Sequence, residues 1–226
     1  ALTKKQREGV VDTFLSLLSE RPWDEIALSE VADAAKVSLA DLAAAFPSKV
    51  AIWEAFVQRI DQEVMKDDGS DMAEEIPRER LFDVMMRRFD ALRPHRDAMR
   101  NLMRAARGDP GLAIELNRLA LRSHAWMLAV ARIEPGGLEG RALAQGSALV
   151  FARVLRTFLS EEDPGMPKTM AALDRELRQA EERWGGISRV IRFFSGGRRR
   201  TRGEVSARPM PPANGNGADR GANGMA

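Results

Sequence analysis

Catalysis requires a nucleophile or a proton carrier held near a partner, and this sequence is poor in both. It has no cysteine and no tyrosine, and its only histidines are His95 and His124. Disulfides, thiolate nucleophiles and cysteine-held metals are therefore excluded. The carboxylates, lysines and hydroxyls show no spacing that gathers them into an acid-base or metal site. We expect no enzyme, no metal and no cofactor, which leaves the chemistry of recognition. Lys4, Lys5, Lys36 and Lys49 are cations near the ends of short helical segments, and Ser38, Leu39 and Asp41 open one such segment. Ammonium groups, a hydroxyl and free helix-terminal amides at such places suit phosphate oxygens. A second set, Phe82, Met85, Met86, Phe89, Met103, His124, Trp126, Met127 and Phe151, is rich in methionine and aromatic rings. Such residues either line a pocket for an apolar small molecule or lipid, or simply pack as core. A third, Ile187, Val190, Ile191 and Phe194 with Arg198, Arg199 and Arg200, places an apolar stripe beside arginines. That pattern fits an anionic membrane surface through residues 187–202, or docking against the protein's own body.

The elements that position these residues are helical throughout. From Lys4 to Leu18 apolar residues recur at helical spacing, with Val10, Phe14, Leu17 and Leu18 on one face. Arg21 to Leu28 breaks the period, and Ser29 can cap a short helix to Ala35. Lys36-Val37-Ser38 makes a turn, and Ser38 with Asp41 three positions on resembles a capping box for a helix from Leu39 to Ala45. Pro47-Ser48 stops it and caps a fourth helix to about Met65, with Ile52, Phe56 and Ile60 in register. Pro77 and Pro94 start further helices, and Gly108-Asp109-Pro110 is a stop and restart. Two more helices follow, Leu138 to Ser160 and Met166 to Trp184. The first is rich in Ala142, Ala144, Gly146, Ala148 and Ala152, small enough for an oligomer seam or for close packing within the chain. Residues 187–195 read as a separate basic amphipathic helix after Gly185-Gly186. His124 reads as a core or pocket-wall histidine, and His95, beside Pro94, as a surface turn residue.

Charge is unevenly placed along the 226 residues. The formal net charge is +2, yet residues 187–226 carry eight arginines against Glu204 and Asp219, while residues 1–60 hold seven basic and nine acidic side chains. Basicity thus belongs to the tail, and residues 196–226, with seven of the eighteen glycines, are expected to be disordered. No run approaches the roughly 18 to 20 uninterrupted apolar residues of a membrane span. The polar start lacks a secretory signal, so a cytoplasmic location is expected, peripheral to the inner membrane face if the arginine-flanked stripe engages lipid.

The segment from Leu28 to Lys49 resembles the helix-turn-helix of the TetR family of transcriptional regulators. The matching positions are Val31, Ala32, Ala35, Val37, Ser38, Leu42, Phe46, Ser48 and Lys49. With the first helix and the helical body, the resemblance covers about residues 4 to 184. It implies an all-α, TetR-like fold: a three-helix helix-turn-helix domain over residues 1–48 and a helical ligand-binding and dimerisation domain over 49–184. It also implies a homodimer, binding to DNA, and an apolar effector pocket in the second domain. Where the family places a glycine in the turn, a small residue early in the recognition helix, and a tyrosine and histidine late in it, this chain has Lys36, Ala40, Ala43 and Ala45. Alanine offers a base edge only methyl contact, whereas sequence readout rests on hydrogen bonds in the major groove. Farther along, Gly140 to Gly146, Leu155 to Leu159 and Lys168 to Arg175 are similar to part of the TetR-like lipid-binding accessory protein of coenzyme Q (ubiquinone) biosynthesis. That second resemblance implies a protein binding lipid or a quinone intermediate at a membrane, without DNA binding. The sequence therefore leaves two expectations standing, a regulator and a membrane-associated lipid-binding accessory protein.

Overall fold

A computed structural model describes residues 1–66, 72, 74–133 and 136–195, with the backbone alone for 184–195. Among the described residues the chain forms nine α-helices, joined by turns and two short 3₁₀ segments, and no strand. Local signals set most boundaries. Helix α1 (Lys4–Glu20) opens on a full capping box: the Thr3 hydroxyl accepts from the Gln6 amide while Gln6 returns a bond to the Thr3 amide. After a 3₁₀ turn at Trp23–Glu25 comes α2 (Leu28–Ala34), whose N-cap is Ala27. Ser29 lies inside that helix rather than capping it; α2 has no side-chain cap. Ser38 does cap α3 (Leu39–Ala45), accepting from the Asp41 amide at 3.0 Å, and Ser48 caps α4 (Lys49–Met65).

The body begins with α5 (Pro77–Leu92), and a 3₁₀ turn at Arg93–His95 leads to α6 (Arg96–Gly108). Asp109 caps α7 (Pro110–Val130) by accepting from the Leu112 amide. Helix α8 (Gly137–Ser160) is long and apolar enough to cross a membrane, but here it packs against α6, α7 and α9 (Pro167–Ser195) and buries Val150, Val154, Leu155 and Phe158. Glu161 holds the α8–α9 corner: its buried carboxylate accepts from the amides of Lys168 and Thr169 and from the Thr169 hydroxyl, at 2.6–2.8 Å.

One continuous core joins the two expected domains. It runs from Phe14, Leu18, Leu42 and Phe46 through Ile52 and Phe56 to Phe89, Leu102 and Phe158. Asn101 of α6 donates to the carbonyls of Leu18 and Arg21, tying the end of α1 to the body. Arg59 of α4 pairs with Asp12 of α1, and Arg122 of α7 with Glu54 of α4. Helix α4 therefore touches both halves and belongs to both.

The C-terminal helix differs from expectation. Gly185-Gly186 does not divide it; α9 runs unbroken from Pro167 to Ser195. A glycine costs a helix interior only about 1 kcal/mol, and extension of an existing helix is easier than nucleation of a new one. The stripe residues Ile187, Val190, Ile191 and Phe194 thus share one helix with Leu173 and Leu177. Their side chains, and the whole of 196–226 with Arg198, Arg199 and Arg200, lie outside the described residues.

Candidate functional site

The residues singled out for recognition fall in two regions, an exposed face at α2–α3 and a cavity in the body. In the first, α2 ends in a Schellman turn: the Val37 amide reaches the Ala32 carbonyl and the Lys36 amide reaches the Asp33 carbonyl. Such a turn demands a left-handed residue at its corner, and Lys36 takes it with φ 56°. This is the position where the family's glycine is expected, so the conformational demand persists although the residue has changed. Lys36 is exposed at the tip of the turn.

Helix α3 buries Leu42, with Phe46 beneath its end, and turns Leu39, Ala40, Ala43 and Ala44 outward. Leu39 is 53% exposed, a large apolar side chain at the start of α3. Asp41, the one hydrogen-bonding side chain within α3, is engaged by the helix's own cap: its carboxylate accepts from the Ser38 hydroxyl at 2.8 Å, which holds its carboxyl below the usual value.

The remaining expected anion contacts separate. Lys4 and Lys5 are exposed on the first turn of α1, and the Arg7 guanidinium lies over the Phe46 ring at 4.5 Å. Lys49 is half-buried; its ammonium donates to the Trp23 carbonyl at 2.6 Å and stands over the indole. Burial pushes its pKa down. Lys49 thus fastens α4 to the loop after α1, a role invisible to a count of basic residues because Trp23 is 26 positions away.

The cavity, about 290 Å³, lies between α4, α5, α6, α7 and α8. Trp53, Phe56, Val57 and Ile60 of α4 form one wall, Leu102, Met103 and Ala106 of α6 another, and Leu116, Ala120 and His124 of α7 a third, with Phe151 and Leu155 of α8 closing it. Of the sequence-expected set, Met103, His124 and Phe151 come together here. Met85, Phe89 and Met127 are fully buried core, and Phe82 and Met86 pack against that core without lining the cavity. Trp126 is 58% exposed, on an open groove between α7 and α8. Helical periodicity marks the apolar face of each helix, but only the tilt between helices leaves space along part of it. The α4 wall was therefore not predictable from that spacing.

A buried polar group adjoins the cavity. Arg88 of α5 pairs with Asp61 of α4, and Ser123 of α7 donates to the same carboxylate at 2.6 Å. The Arg88 guanidinium also lies 5.5 Å from the Phe151 ring centre. His124 Nδ1 is 2.8 Å from Ser147 Oγ, and its ring meets Phe151 edge-on. Burial, reinforced by the charge of Arg88, lowers the His124 pKa to about 3, so the ring is neutral near pH 7. His95 is not a simple surface residue: it is partly buried against the edge of Phe56, which lowers its pKa. Among the described residues no cluster of acidic and imidazole groups could hold a metal ion.

The chain matches no protein-family model and no curated protein. Its likeness is to solved structures. It is similar to the TetR transcriptional regulator of Nitrosomonas europaea, at 20% identity over 77% of this chain and 97% of that one, with a TM-score of 0.62. It is also similar to a TetR transcriptional regulator of a Rhodococcus species, at 20% identity over 78% and 96% of the two chains, TM-score 0.55. The chain has the TetR fold. In the terms of that fold, α2 and α3 are the helix-turn-helix, α4 is the connecting helix, and α5 to α9 are the body.

Proposed function

We propose that this protein is a dimeric DNA-binding regulator whose affinity for DNA is set by a small apolar molecule in the body. The observation that carries this reading is the double role of α4. Its N-terminus is joined to α3 by the three residues Phe46-Pro47-Ser48, and Trp53, Phe56, Val57 and Ile60 farther along it form a cavity wall. A ligand that favours one position of this wall shifts α3, and it alters DNA affinity by the difference in its affinity for the two positions.

Contact to DNA would come from Lys36, the capped start of α3 at Ser38, and Lys4 and Lys5, all of which suit phosphate. Leu39, Ala40 and Ala43 offer the major groove apolar contact to thymine methyls and no hydrogen bonds. Recognition therefore rests on phosphate positions, groove shape and methyl contacts, which gives loose sequence preference. A second copy would cover exposed apolar side chains on the body, Ile114 and Trp126 of α7 with Leu138 and Leu149 of α8. A Cβ built at Gly146 meets no atom within 4 Å, so packing inside the chain does not require that small residue.

Selection from fragmented genomic DNA at near-physiological salt tests this function. Enrichment of fragments with two half-sites in two-fold symmetry is expected, and release from them on binding an apolar ligand. No enrichment of any symmetric fragment would sink the regulator.

A further inference from the structure

We propose that the body holds a single-chain amphiphile with a phosphate-bearing head, its apolar chain in the cavity beside α4 and its phosphate on the arginines of an adjoining groove between α6 and α8. This deepens the regulator reading, on which it rests for its biological meaning, by giving the ligand a charged end as well as an apolar one.

Three observations lead here. The groove, about 750 Å³, is lined by Arg100, Arg104 and Arg107 of α6 and by Arg156 of α8, and Glu162 is the one carboxylate among its lining residues. Arg100 pairs with Asp97 and donates to the Leu159 carbonyl, and Arg104 donates to the Asn101 side chain at 2.7 Å. No carboxylate among the described residues, Glu162 included, pairs with Arg104, Arg107 or Arg156, and all three are exposed. Second, the groove and the cavity abut, because Met103, Ala106, Ala152 and Leu155 line both. Ala152 is exposed and Leu155 buried, so this shared wall leads from the surface inward. Third, the charged and apolar linings follow one another along α8. Leu149, Ala152 and Arg156 stand at i, i+3 and i+7 on one face, with Leu149 on the cavity and Arg156 on the groove.

The charges decide which end goes where. Arg88 is the one arginine lining the cavity and is already neutralised by Asp61, and His124 is uncharged near pH 7. An anionic head placed inside would be a buried charge without a counter-ion. In the groove the same head meets exposed guanidiniums that lack acidic partners and keeps part of its hydration. A phosphate monoester carries about −1.5 to −2 charge near pH 7 and three acceptor oxygens, so it can engage more than one arginine at once. A carboxylate brings one charge and two oxygens to the same set. The chain end explains why such a ligand matters for the fold: from the shared wall it runs toward Trp53, Phe56 and Ile60, which are the α4 side of the cavity.

The test uses the full chain and three probes with one tail, decyl phosphate, decanoate and 1-decanol, each below its micelle concentration. Binding is followed by tryptophan fluorescence, since Trp53 lines the cavity. Decyl phosphate is expected to bind about tenfold tighter than decanol, the effect of one hydrogen bond from a charged donor, and tighter than decanoate. Its advantage should shrink between about 50 and 200 mM salt, because the groove is open to solvent. The double variant Arg107→Gln and Arg156→Gln, at two exposed positions, should erase that advantage and leave decanol affinity unchanged. Ala148→Leu, in the cavity wall, should abolish binding of both. Equal binding of phosphate and alcohol, tightest binding of decanoate, or a phosphate advantage that survives the double variant overturns the proposal. Undiminished decyl phosphate binding by folded Ala148→Leu also overturns it, by placing the chain elsewhere. If Ala148→Leu does not fold, the probes on the unmodified chain and the double variant decide. Phosphate selectivity without any change in DNA retention upholds this site and counts against the regulator. Failure of all three probes to bind overturns the site, and the regulator then stands or falls on the selection of symmetric DNA fragments.

Discussion

Replacing Lys36 by glycine separates backbone strain from DNA contact at a single residue. At φ 56° an L-residue pays about 1–2 kcal/mol relative to one free of Cβ clashes. Glycine offsets part of that gain by losing more backbone freedom on folding, about 0.5–1 kcal/mol. The net expectation for Lys36→Gly is a stabilisation of about 0.5–1 kcal/mol, or about 1–4 °C in melting temperature for a domain of this size. Arg132 supplies an internal control. It holds the corner of a second Schellman turn at φ 55°, with the Ile133 amide on the Leu128 carbonyl and the Arg132 amide on the Ala129 carbonyl, at the far end of α7. Arg132→Gly should stabilise to a similar extent and leave DNA binding unchanged. Lys36→Gly should weaken it and, with one lysine lost from each of two subunits, flatten the dependence of log affinity on log salt by about 1.8. The assays are thermal unfolding by circular dichroism and DNA binding across a salt series. Unchanged or lowered melting temperatures in both variants would refute the strain reasoning. An unchanged salt slope in Lys36→Gly would remove Lys36 from the phosphate contacts.

Three further outcomes are expected. Glu161→Gln should cost about 1–3 kcal/mol in urea unfolding at neutral pH, because the carboxylate accepts three hydrogen bonds, two of them buried, at the start of α9. Burial alone would raise its pKa, but the Thr169 hydroxyl and the Lys168 and Thr169 amides outweigh this and hold it below the normal value. Its contribution is therefore complete above the unfolded pKa, about 4.3, and is lost as pH falls through the lower folded value. The gap between the two proteins should close in acid, and a gap that widens there contradicts the assignment. Lys49→Met should destabilise by about 1–2 kcal/mol through loss of the bond to the Trp23 carbonyl, with no change in the salt slope of DNA binding. Ala148→Leu should place methyl groups in the cavity, abolish binding of apolar probes by fluorescence titration, and change stability by less than about 1.5 kcal/mol. Undiminished probe binding would mean that the probes bind elsewhere.

Most helices, and the caps at Ser38, Ser48 and Asp109, were legible in the sequence because their causes are local, whereas Ser29 proved to lie inside α2 and Gly185-Gly186 inside α9. Ser38 and Asp41 are three residues apart, Ser48 directly precedes α4, and Asp109-Pro110 sets both the cap and the first turn of α7. The pairing of α2 and α3 across a tight turn was legible for the same reason. Tertiary structure decided everything that depends on which helices meet. It made Lys49 a link to Trp23, assigned Met85, Phe89 and Met127 to the core, and left a cavity beside α4 that the periodic pattern did not distinguish from packing. It also set Arg88 against Asp61, 27 positions earlier, and beside Phe151, 63 positions later. A side chain's helical tendency is settled within a turn or two of its own backbone. Its partner, its burial and the space left next to it are settled by the packing of distant segments.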